Sequence, residues 1–360
     1  MRYLYDIMIA FLKKTTIMAV LTAALLCLVS CNKSGNDTGP TAKYFSQYPS
    51  FTIKPFCHAG ERLLITPSKP VKATSDTSRT APGICWKMTG DSRYDTVRYE
   101  GENPDANKGS YILVLPEDTL MKVSLTCFAY ASGYYDATTS QSTVIVDEKK
   151  SLTGRGVDST CAFTDPRDEK LYFYTRIGDK LWMSTNLAYE GEDGKCGHSV
   201  YGSPVMDGIV GRMYSWNEAV SACPPDWELP SQEDINELAG IFIPSASFGI
   251  TETIPGIAGH MMSDPYFNGE KYWEYWPAVP IDNATGLCML PAGYASIDND
   301  GVCSFQDYSK RSVFWTAEKP TDNMAVARYI YDDSNDLGAF KGDIDCFGAS
   351  VRCVKSAESD

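Results

Sequence analysis

Histidine is scarce in this sequence. The 360 residues include three, His58, His198 and His260, which stand far apart along the chain. No His-Glu-x-x-His pair, no Gly-x-Ser-x-Gly turn and no glycine-rich phosphate loop followed by Lys-Ser or Lys-Thr occurs. The sequence thus carries no local motif of a metalloprotease, a serine hydrolase or a nucleotide-dependent enzyme. We therefore expect a protein that binds rather than catalyses, and that uses no cofactor.

Cys-x-x-Cys pairs, the usual spacing of zinc ligands, are also lacking, although the chain has 12 cysteines. Cys27 and Cys31 belong to an N-terminal segment discussed below. The other ten are an even number, which in an exported protein favours disulfides over a zinc site, and we predict no metal. Those ten are Cys57, Cys85, Cys127, Cys161, Cys196, Cys223, Cys288, Cys303, Cys346 and Cys353.

Positive charge is in deficit. The chain has 32 lysines and arginines against 46 aspartates and glutamates, which gives a formal net charge of −14. Such a chain repels the phosphates of nucleic acids and of anionic lipid head groups. Nucleic acid is therefore not expected as a partner.

The N terminus carries an apolar run over residues 17–28, which is too short to span a bilayer comfortably. Lys13 and Lys14 precede it, as in a signal peptide. Leu28-Val-Ser-Cys31 then resembles a bacterial lipobox, which implies cleavage before Cys31 and lipid on that residue. We expect a signal peptide over residues 1–30 and a flexible tether over 31–43. The predicted location is the outer membrane, on its periplasmic or cell-surface face.

Residues 44–147 show no helical period but contain seven β-rich runs separated by Gly, Pro, Asp and Ser clusters. In the sixth run, over 122–131, Val123, Leu125, Cys127 and Ala129 alternate with more polar or aromatic residues. Trp86 lies in the third run and suits a core position. The pattern predicts an all-β immunoglobulin-like sandwich that acts as a spacer. The other runs are 50–56, 62–66, 83–88, 95–100, 111–116 and 142–147.

Residues 148–160 are charged and have no periodic pattern, so we interpret them as a linker. A second domain over 161–355 then opens with a predicted hairpin around Gly178 and Asp179, and residues 356–360 form a tail. Residues 244–280 are irregular. The remaining strand candidates, expected to form one small antiparallel sheet, are 287–290, 313–316, 324–331 and 350–354.

Two helices are expected in the middle of this domain. Trp216, Ala219, Val220 and Cys223 lie at i, i+3, i+4 and i+7, and Pro224 must end that helix. Ser231 can then cap a second helix, with Asp234 three residues on. Its predicted buried face contains Ile235 and Leu238, and its predicted end is Gly240.

Six motifs follow one another along the second domain: Trp182-Met183 with Asn186-Leu187, residues 211–219, residues 223–238, residues 291–294, Phe314-Trp315-Thr316 and residues 350–355. Together they resemble the Fibrobacter succinogenes major paralogous domain, a family common in surface lipoproteins of Bacteroidetes-type bacteria. The resemblance implies an α+β C-type-lectin-like fold for this domain. It also implies a disulfide between Cys223, after an early helix, and Cys353, in the last strand.

The other cysteine pairings stay open at this stage. We consider Cys346 with Cys288 or Cys303, Cys161 with Cys196, and Cys85 with Cys127. The same fold superfamily includes formylglycine-generating enzymes, which oxidise cysteines with a pair of reactive thiols. Cys346 and Cys353 are the candidates for that chemistry, although Asp343 and Asp345 beside Cys346 would raise rather than lower a thiol pKa.

Acidic clusters offer two further hypotheses. Residues 298–301 and 331–336 present the oxygen ligands that calcium prefers, but they are also ordinary turn sequences. Glu190, Glu192 and Asp193 are close enough for paired-carboxylate catalysis. Their glycine-rich surroundings favour a solvated turn instead.

An aromatic run over residues 266–276 is the most suggestive binding feature. Flat tyrosine and tryptophan rings suit the apolar faces of sugars, and we predict that Tyr272, Trp273 and Trp276 line a glycan or peptide groove. The competing interpretation is that these rings anchor a loop in the core. The sequence as a whole predicts a lipid-anchored binding protein for glycan or protein ligands, with a structural or adhesive role as the alternative and a thiol oxidase third.

Overall fold

The computed structural model describes residues 44–45, 47–68, 83–90, 98–102, 110–130, 134–245, 247–273 and 279–357. These residues are mostly β-sheet with few helices. None of the helices in these ranges has the length and apolar character needed to cross a bilayer. The predicted lipid site at Cys31 and the predicted ligand residue Trp276 lie outside them.

The N-terminal part contains seven described strands. They are β1 (Phe56–His58), β2 (Arg62–Ile65), β3 (Gly83–Gly90), β4 (Arg98–Glu102), β5 (Tyr111–Val114), β6 (Lys122–Tyr130) and β7 (Ala137–Val146). Five form one sheet in the order β1-β7-β6-β3-β4, in which β1 is parallel to β7 and the other pairs are antiparallel. β2 and β5 pair separately. The prediction of a strand over 50–56 was wrong, because the ladder begins only at Phe56.

The two N-terminal sheets share one core. Val123, Leu125, Cys127 and Ala129 of β6 are each at most 1% exposed, which confirms the predicted alternation. Trp86 is fully buried between Phe51 and Tyr111, whose ring centroids lie 5.1 and 5.9 Å from its own. Apolar residues of β2 and β5 complete the same cluster.

The C-terminal part is built from short elements. The strands are β8 (Leu152–Thr153), β9 (Ala162–Thr164), β10 (Leu171–Ile177), β11 (Lys180–Met183), β12 (His198–Ser199), β13 (Arg212–Met213), β14 (Tyr266–Phe267), β15 (Glu270–Lys271), β16 (Tyr294–Ile297), β17 (Cys303–Gln306), β18 (Arg311–Trp315), β19 (Met324–Tyr331), β20 (Gly338–Asp343), β21 (Phe347–Gly348) and β22 (Val354–Ser356). The helices are α1 (Asp207–Val210), α2 (Trp216–Ala222), α3 (Gln232–Gly240) and α4 (Ala258–Met261). Two 3₁₀ turns, Val200–Gly202 and Pro204–Met206, precede α1.

These strands form several small sheets rather than the single sheet that the sequence suggested. The predicted hairpin is confirmed as β10 and β11, and it continues into a four-stranded sheet in the order β22-β11-β10-β9. The three-stranded sheets β18-β19-β20 and β17-β16-β21 are separate from it. The strand predicted at 287–290 is absent, since Cys288 has a left-handed backbone with φ of 52° that a regular strand does not contain.

Both predicted helices exist and both begin with a capping box. In α2 the Ser215 side chain accepts from the Glu218 backbone N–H, and the Glu218 side chain accepts from the Ser215 backbone in return. In α3 Ser231 and Asp234 do the same, as predicted. The apolar stripe of α2 needs one correction: Val220 is 53% exposed, because the helix buries Ala219 and Ala222 instead.

The predicted linker is packed against both parts of the chain. Its strand β8 pairs with β14, and the Asn268 backbone N–H donates to the carbonyl of Ser151 at 2.8 Å. The Asn268 side-chain amide donates to the carbonyl of Ile145, at the end of the N-terminal sheet, also at 2.8 Å. Residues 148–155 therefore form a docked connection between the two parts.

Candidate functional site

Cys223 and Cys353 form a disulfide, as predicted, with a Cα–Cα distance of 5.9 Å. Cys223 follows the last turn of α2, and Cys353 immediately precedes β22. Both are buried, at 9% and 0% exposure. A backbone bridge between Glu228 and Val354 runs alongside the disulfide. The bond thus joins the middle of the domain to its final strand.

The other proposed pairs among described side chains were wrong. Cys161, Cys196, Cys288, Cys303 and Cys346 are free thiols. The strand β16 explains one case: Ile297 pairs with Cys303 on one side and donates its N–H to the Cys346 carbonyl on the other. Strands are spaced about 4.8 Å apart, so the two cysteines lie roughly 10 Å apart, too far for a disulfide. The Cys85 side chain lies outside the described residues, so its pairing with Cys127 stays a prediction.

Two half-buried thiols, Cys196 and Cys303, are poorly suited to redox catalysis. Burial, together with a smaller contribution from the nearby Glu218 carboxylate, raises the pKa of Cys196 to about 11. Burial and the same carboxylate likewise raise the pKa of Cys303 to about 11. A reactive cysteine needs a lowered pKa. Since Cys353 is bonded to Cys223, it is also unavailable as the reactive partner of Cys346.

Several motif residues hold the fold together. The Arg352 side chain is 1% exposed, and its hydrogen-bond partners are uncharged. Its Nε donates to Asn186 Oδ1 at 2.5 Å, and its terminal nitrogens donate to the carbonyls of Met183, Leu287 and Cys288. Asn186 in turn donates to the Val210 carbonyl at 2.7 Å. The motif around residue 186 and the motif around residue 352 are therefore two halves of one buried network.

The predicted aromatic groove is not formed by the side chains that can be located. Tyr272 is 3% exposed and Trp273 is 1% exposed. Trp273 donates its indole N–H to the Ser263 carbonyl at 2.8 Å and packs within one core cluster, whereas Tyr272 belongs to another. These two rings anchor the loop in the core, which is the competing interpretation given above. Trp276 stays a prediction.

Tyr272 instead joins an aromatic cluster at the junction of the two parts. Its ring stacks on Phe267 at 5.1 Å and meets Tyr308 edge-on at 5.7 Å, and Phe56 of β1 lies 5.3 Å from Tyr308. Burial raises the pKa of Tyr272 and of Tyr308 well above the usual value. The rings border a largely apolar pocket of about 270 Å³.

A cleft of about 880 Å³ adjoins this cluster, since its lining residue Tyr201 packs on Phe56 and Tyr308. Its aromatic wall consists of Tyr201 and Phe305, whose ring centroids lie 5.3 Å apart and whose side chains are half-buried. Polar and charged residues surround these rings. The lining comprises Pro55, Gly194, Lys195, Gly197, His198, Ser199, Tyr201, Gly202, Arg212, Cys303, Ser304 and Phe305.

Arg212, from the Gly-Arg motif, organises the floor of this cleft. Its guanidinium donates to the carbonyls of Cys196 and Gly197 at 3.1 and 2.9 Å, and pairs with Asp207 at 2.7 Å. In the β12–β13 ladder Ser199 lies opposite Arg212, and its hydroxyl accepts from the same guanidinium at 3.2 Å. The buried Arg212 guanidinium therefore fixes the loop that carries Gly197, His198 and Ser199.

Gly197 and Tyr201 of that loop have left-handed backbones for different reasons. Gly197 has a φ of 66°, and a Cβ there would lie 2.6 Å from the Tyr214 ring, so only glycine fits. Tyr201 has a φ of 52° although it carries a large side chain. That conformation costs roughly 1–2 kcal/mol, which the packing of the ring against Phe305, Phe56 and Tyr308 offsets. The fold thus holds Tyr201 at the cleft against its local preference.

The acidic segments form turns, as their composition favoured. Asp298 Oδ1 accepts from the backbone N–H groups of Asp300 and Val302, which is an Asx-type turn. Asp336 Oδ1 accepts from the backbone N–H of Gly256, which is remote in sequence, and so links two segments of the domain. Glu190 and Asp193 are exposed and pair with Arg212 and Lys195. Across the ranges given above, no three His, Cys, Asp or Glu side chains converge as metal ligands would.

Sequence reasoning did not single out Tyr201 or Phe305. One signal was available: Gly191, Gly194, Gly197 and Gly202 recur within twelve residues, a spacing typical of a loop with several left-handed positions. Phe305 lies in β17, which had not been predicted as a strand.

A family model described as the Fibrobacter succinogenes major domain matches residues 175–355, about half of the chain. No curated protein and no solved structure matches the chain. The matched range contains both halves of the Arg352 network, the disulfide and all of the cleft except Pro55.

Proposed function

Because the chain belongs to the Fibrobacter succinogenes major domain family, we propose that it is a lipid-anchored envelope protein whose C-terminal domain binds glycans in the cleft beside Tyr201. In this proposal Cys31 carries the lipid, and an immunoglobulin-like N-terminal domain presents a C-type-lectin-like domain outward from the outer membrane. Glycan recognition moves from the predicted groove at Tyr272 and Trp273 to the cleft, since those two side chains are buried.

The pairing of Tyr201 with Phe305 is the observation that carries the proposal. Two half-buried rings 5.3 Å apart, with an angle of 47° between their planes, offer two adjacent apolar faces, and flat aromatic faces are the kind that pack against sugar rings. Their positions are fixed, because Tyr201 packs on Phe56 and Tyr308 and Phe305 lies in β17. A fixed surface loses little conformational entropy when a ligand binds.

Polar groups around the rings suit sugar hydroxyls. Ser304 supplies a hydroxyl, His198 an imidazole, and Lys195 an ammonium group. The Arg212 guanidinium already has carbonyl and carboxylate partners, so its role is to position the loop rather than to bind directly. An open cleft of about 880 Å³ is large enough for an oligosaccharide of a few units.

A glycan array followed by isothermal titration tests the proposal. Tyr201→Ala and Phe305→Ala should each weaken binding of an array-positive glycan at least tenfold, or about 1.4 kcal/mol. Tyr266→Ala is the matched control, because Tyr266 is 41% exposed and lies outside the cleft. The cleft would be rejected as the binding site if no glycan bound, or if Tyr266→Ala lost as much affinity as the two cleft variants.

A structural or adhesive role is the second candidate. It is favoured by the docked connection, in which β8 pairs with β14 and Asn268 bonds to the N-terminal sheet. Such a connection suits a stiff surface element that transmits force. Single-molecule stretching should then show both parts unfolding at similar forces, whereas early detachment of the N-terminal part would argue against this role.

The location is tested separately from the ligand. Cys31→Ala should abolish metabolic labelling with a fatty-acid probe and release the protein from the membrane fraction. Protease shaving of intact cells then distinguishes the cell-surface face from the periplasmic face. Membrane attachment that survives Cys31→Ala would refute the lipid anchor.

A further inference from the structure

The N-terminal part carries exposed tyrosines at one end, where two segments of the chain meet. Tyr44 is 68% exposed and Tyr135 is 56% exposed. Their rings stack on each other, with centroids 5.0 Å apart and an angle of 28° between the planes. Single exposed aromatic side chains are ordinary, but two stacked rings form one continuous apolar surface. We call Tyr44 and Tyr135 the tyrosine pair.

Packed neighbours hold the tyrosine pair against the N-terminal sheet. Phe45 is 8% exposed and belongs to a cluster with Ala129 of β6 and Ala137 of β7. The Phe45 ring also packs on Tyr134, with centroids 5.1 Å apart. Each member of the pair is the direct chain neighbour of one of these two packed rings. The pair therefore has a defined place, at the end of the sheet where β6 ends and β7 begins.

The C-terminal part is joined to the opposite end of β7. This strand runs from Ala137, beside the tyrosine pair, to Val146. Near its far end the carbonyl of Ile145 accepts from the side chain of Asn268, which belongs to the C-terminal part. At about 3.3 Å per residue, the strand separates its two ends by about 30 Å. The tyrosine pair thus lies at the end of the N-terminal part that is remote from the C-terminal domain.

The predicted tether over residues 31–43 leads directly to this end, because Tyr44 is the residue that follows it. A chain of that length spans at most about 45 Å even when it is fully extended. A lipid on Cys31 would therefore keep the tyrosine pair within that distance of the bilayer. Of the folded surface, the tyrosine end is the part that the tether brings to the membrane.

We propose that the tyrosine pair docks on the head-group region of the bilayer that holds the lipid anchor, an inference that rests on the proposed acylation of Cys31. Tyrosine has an apolar ring and a polar hydroxyl, and it is enriched where lipid meets water. The lipids are zwitterionic, because a chain with a net charge of −14 and an exposed Asp136 beside the pair repels anionic head groups. Docking at this end leaves the C-terminal domain and its cleft on the side remote from the membrane.

Contact quenching on vesicles tests this inference without depending on acylation of Cys31. The mature chain with Cys31→Ala carries a hexahistidine tag ahead of residue 31, and a nickel-chelating lipid holds it on phosphatidylcholine vesicles with plain or brominated acyl chains. Tyr135→Trp adds an emitting ring and keeps the pair amphipathic. The emission that it adds to that of the parent protein should fall by about half or more on the brominated vesicles.

Leu64→Trp is the matched control. Leu64 is 70% exposed and lies in β2, which follows β1 closely, and His58 of β1 pairs with Val146 at the far end of β7. The emission that this substitution adds should be equal on plain and brominated vesicles. Equal quenching of the two variants, or no quenching of Tyr135→Trp, would overturn the proposal.

Hydrogen–deuterium exchange checks the same contact with the native tyrosines in place. Residues 44–45 and 134–136 should exchange about threefold more slowly, or slower still, on plain vesicles than in solution, and Tyr44→Ser with Tyr135→Ser should restore the solution rate. If the pair binds a protein instead of lipid, neither measurement changes on pure lipid vesicles, and that result also overturns the proposal. The lipid anchor itself is tested separately, by the fatty-acid labelling of Cys31→Ala described above.

Discussion

Removing the Cys223–Cys353 disulfide should destabilise the C-terminal domain strongly. The two cysteines are 130 residues apart, and closing a loop of that length restricts the unfolded chain by about 5 kcal/mol at 25 °C in the chain-entropy model. Domains of this kind have a total stability of about 5–15 kcal/mol. The double variant Cys223→Ala/Cys353→Ala is therefore expected to lose a third of its stability or more.

Urea unfolding followed by tryptophan fluorescence measures this loss. The buried Trp182 and Trp315 belong to the matched domain, so their emission reports its unfolding. Cys346→Ala is the matched control, because Cys346 is an exposed free thiol and its change should alter stability by less than about 0.5 kcal/mol. Reducing the wild-type protein should reproduce the effect of the double variant. If the double variant and the control unfold at the same urea concentration, the disulfide does not stabilise the domain as argued.

Three further predictions use the same protein. Arg352→Met should lower the free energy of unfolding by about 3 kcal/mol or more, because Asn186 and the three carbonyls lose buried donors. The exposed Arg176→Met should change urea unfolding little. Equal urea midpoints for these two variants would refute the stabilising role of the network. Ser231→Ala should cost about 1 kcal/mol through loss of the α3 cap, whereas the exposed Ser221→Ala should be near neutral in the same assay. Cys303 should react slowly with iodoacetamide at pH 7.5 and progressively faster up to about pH 11, because its raised pKa keeps the thiol protonated at neutral pH. Mass spectrometry measures the rate of alkylation, and a rate that does not change with pH would contradict this prediction.

Local sequence patterns correctly predicted the structural features that a single stretch of chain determines. The alternation in β6 predicted its buried face, and the Ser231–Asp234 spacing predicted the cap of α3. The β10–β11 hairpin followed from the turn at Gly178 and Asp179. Local patterns could not predict the disulfide, because its two cysteines are remote in sequence. It was predicted from the resemblance to a family.

Features set by several remote segments could not be predicted. The cleft combines Tyr201, Phe305 and Pro55, and no local pattern connects them. The exposure of Val220 depends on which side of α2 meets the rest of the domain, while helical spacing alone treats it like Ala219. Likewise the aromatic content around residue 272 was evident, but whether those rings face solvent or the core depends on the strands and loops that cover them.

Hydrogen–deuterium exchange with and without an array-positive glycan tests the central claim most directly. We predict slower exchange on ligand binding in residues 194–202 and 303–305, the two segments that form most of the cleft. Protection confined to other segments, with these two unchanged, would contradict the assignment of ligand binding to the cleft.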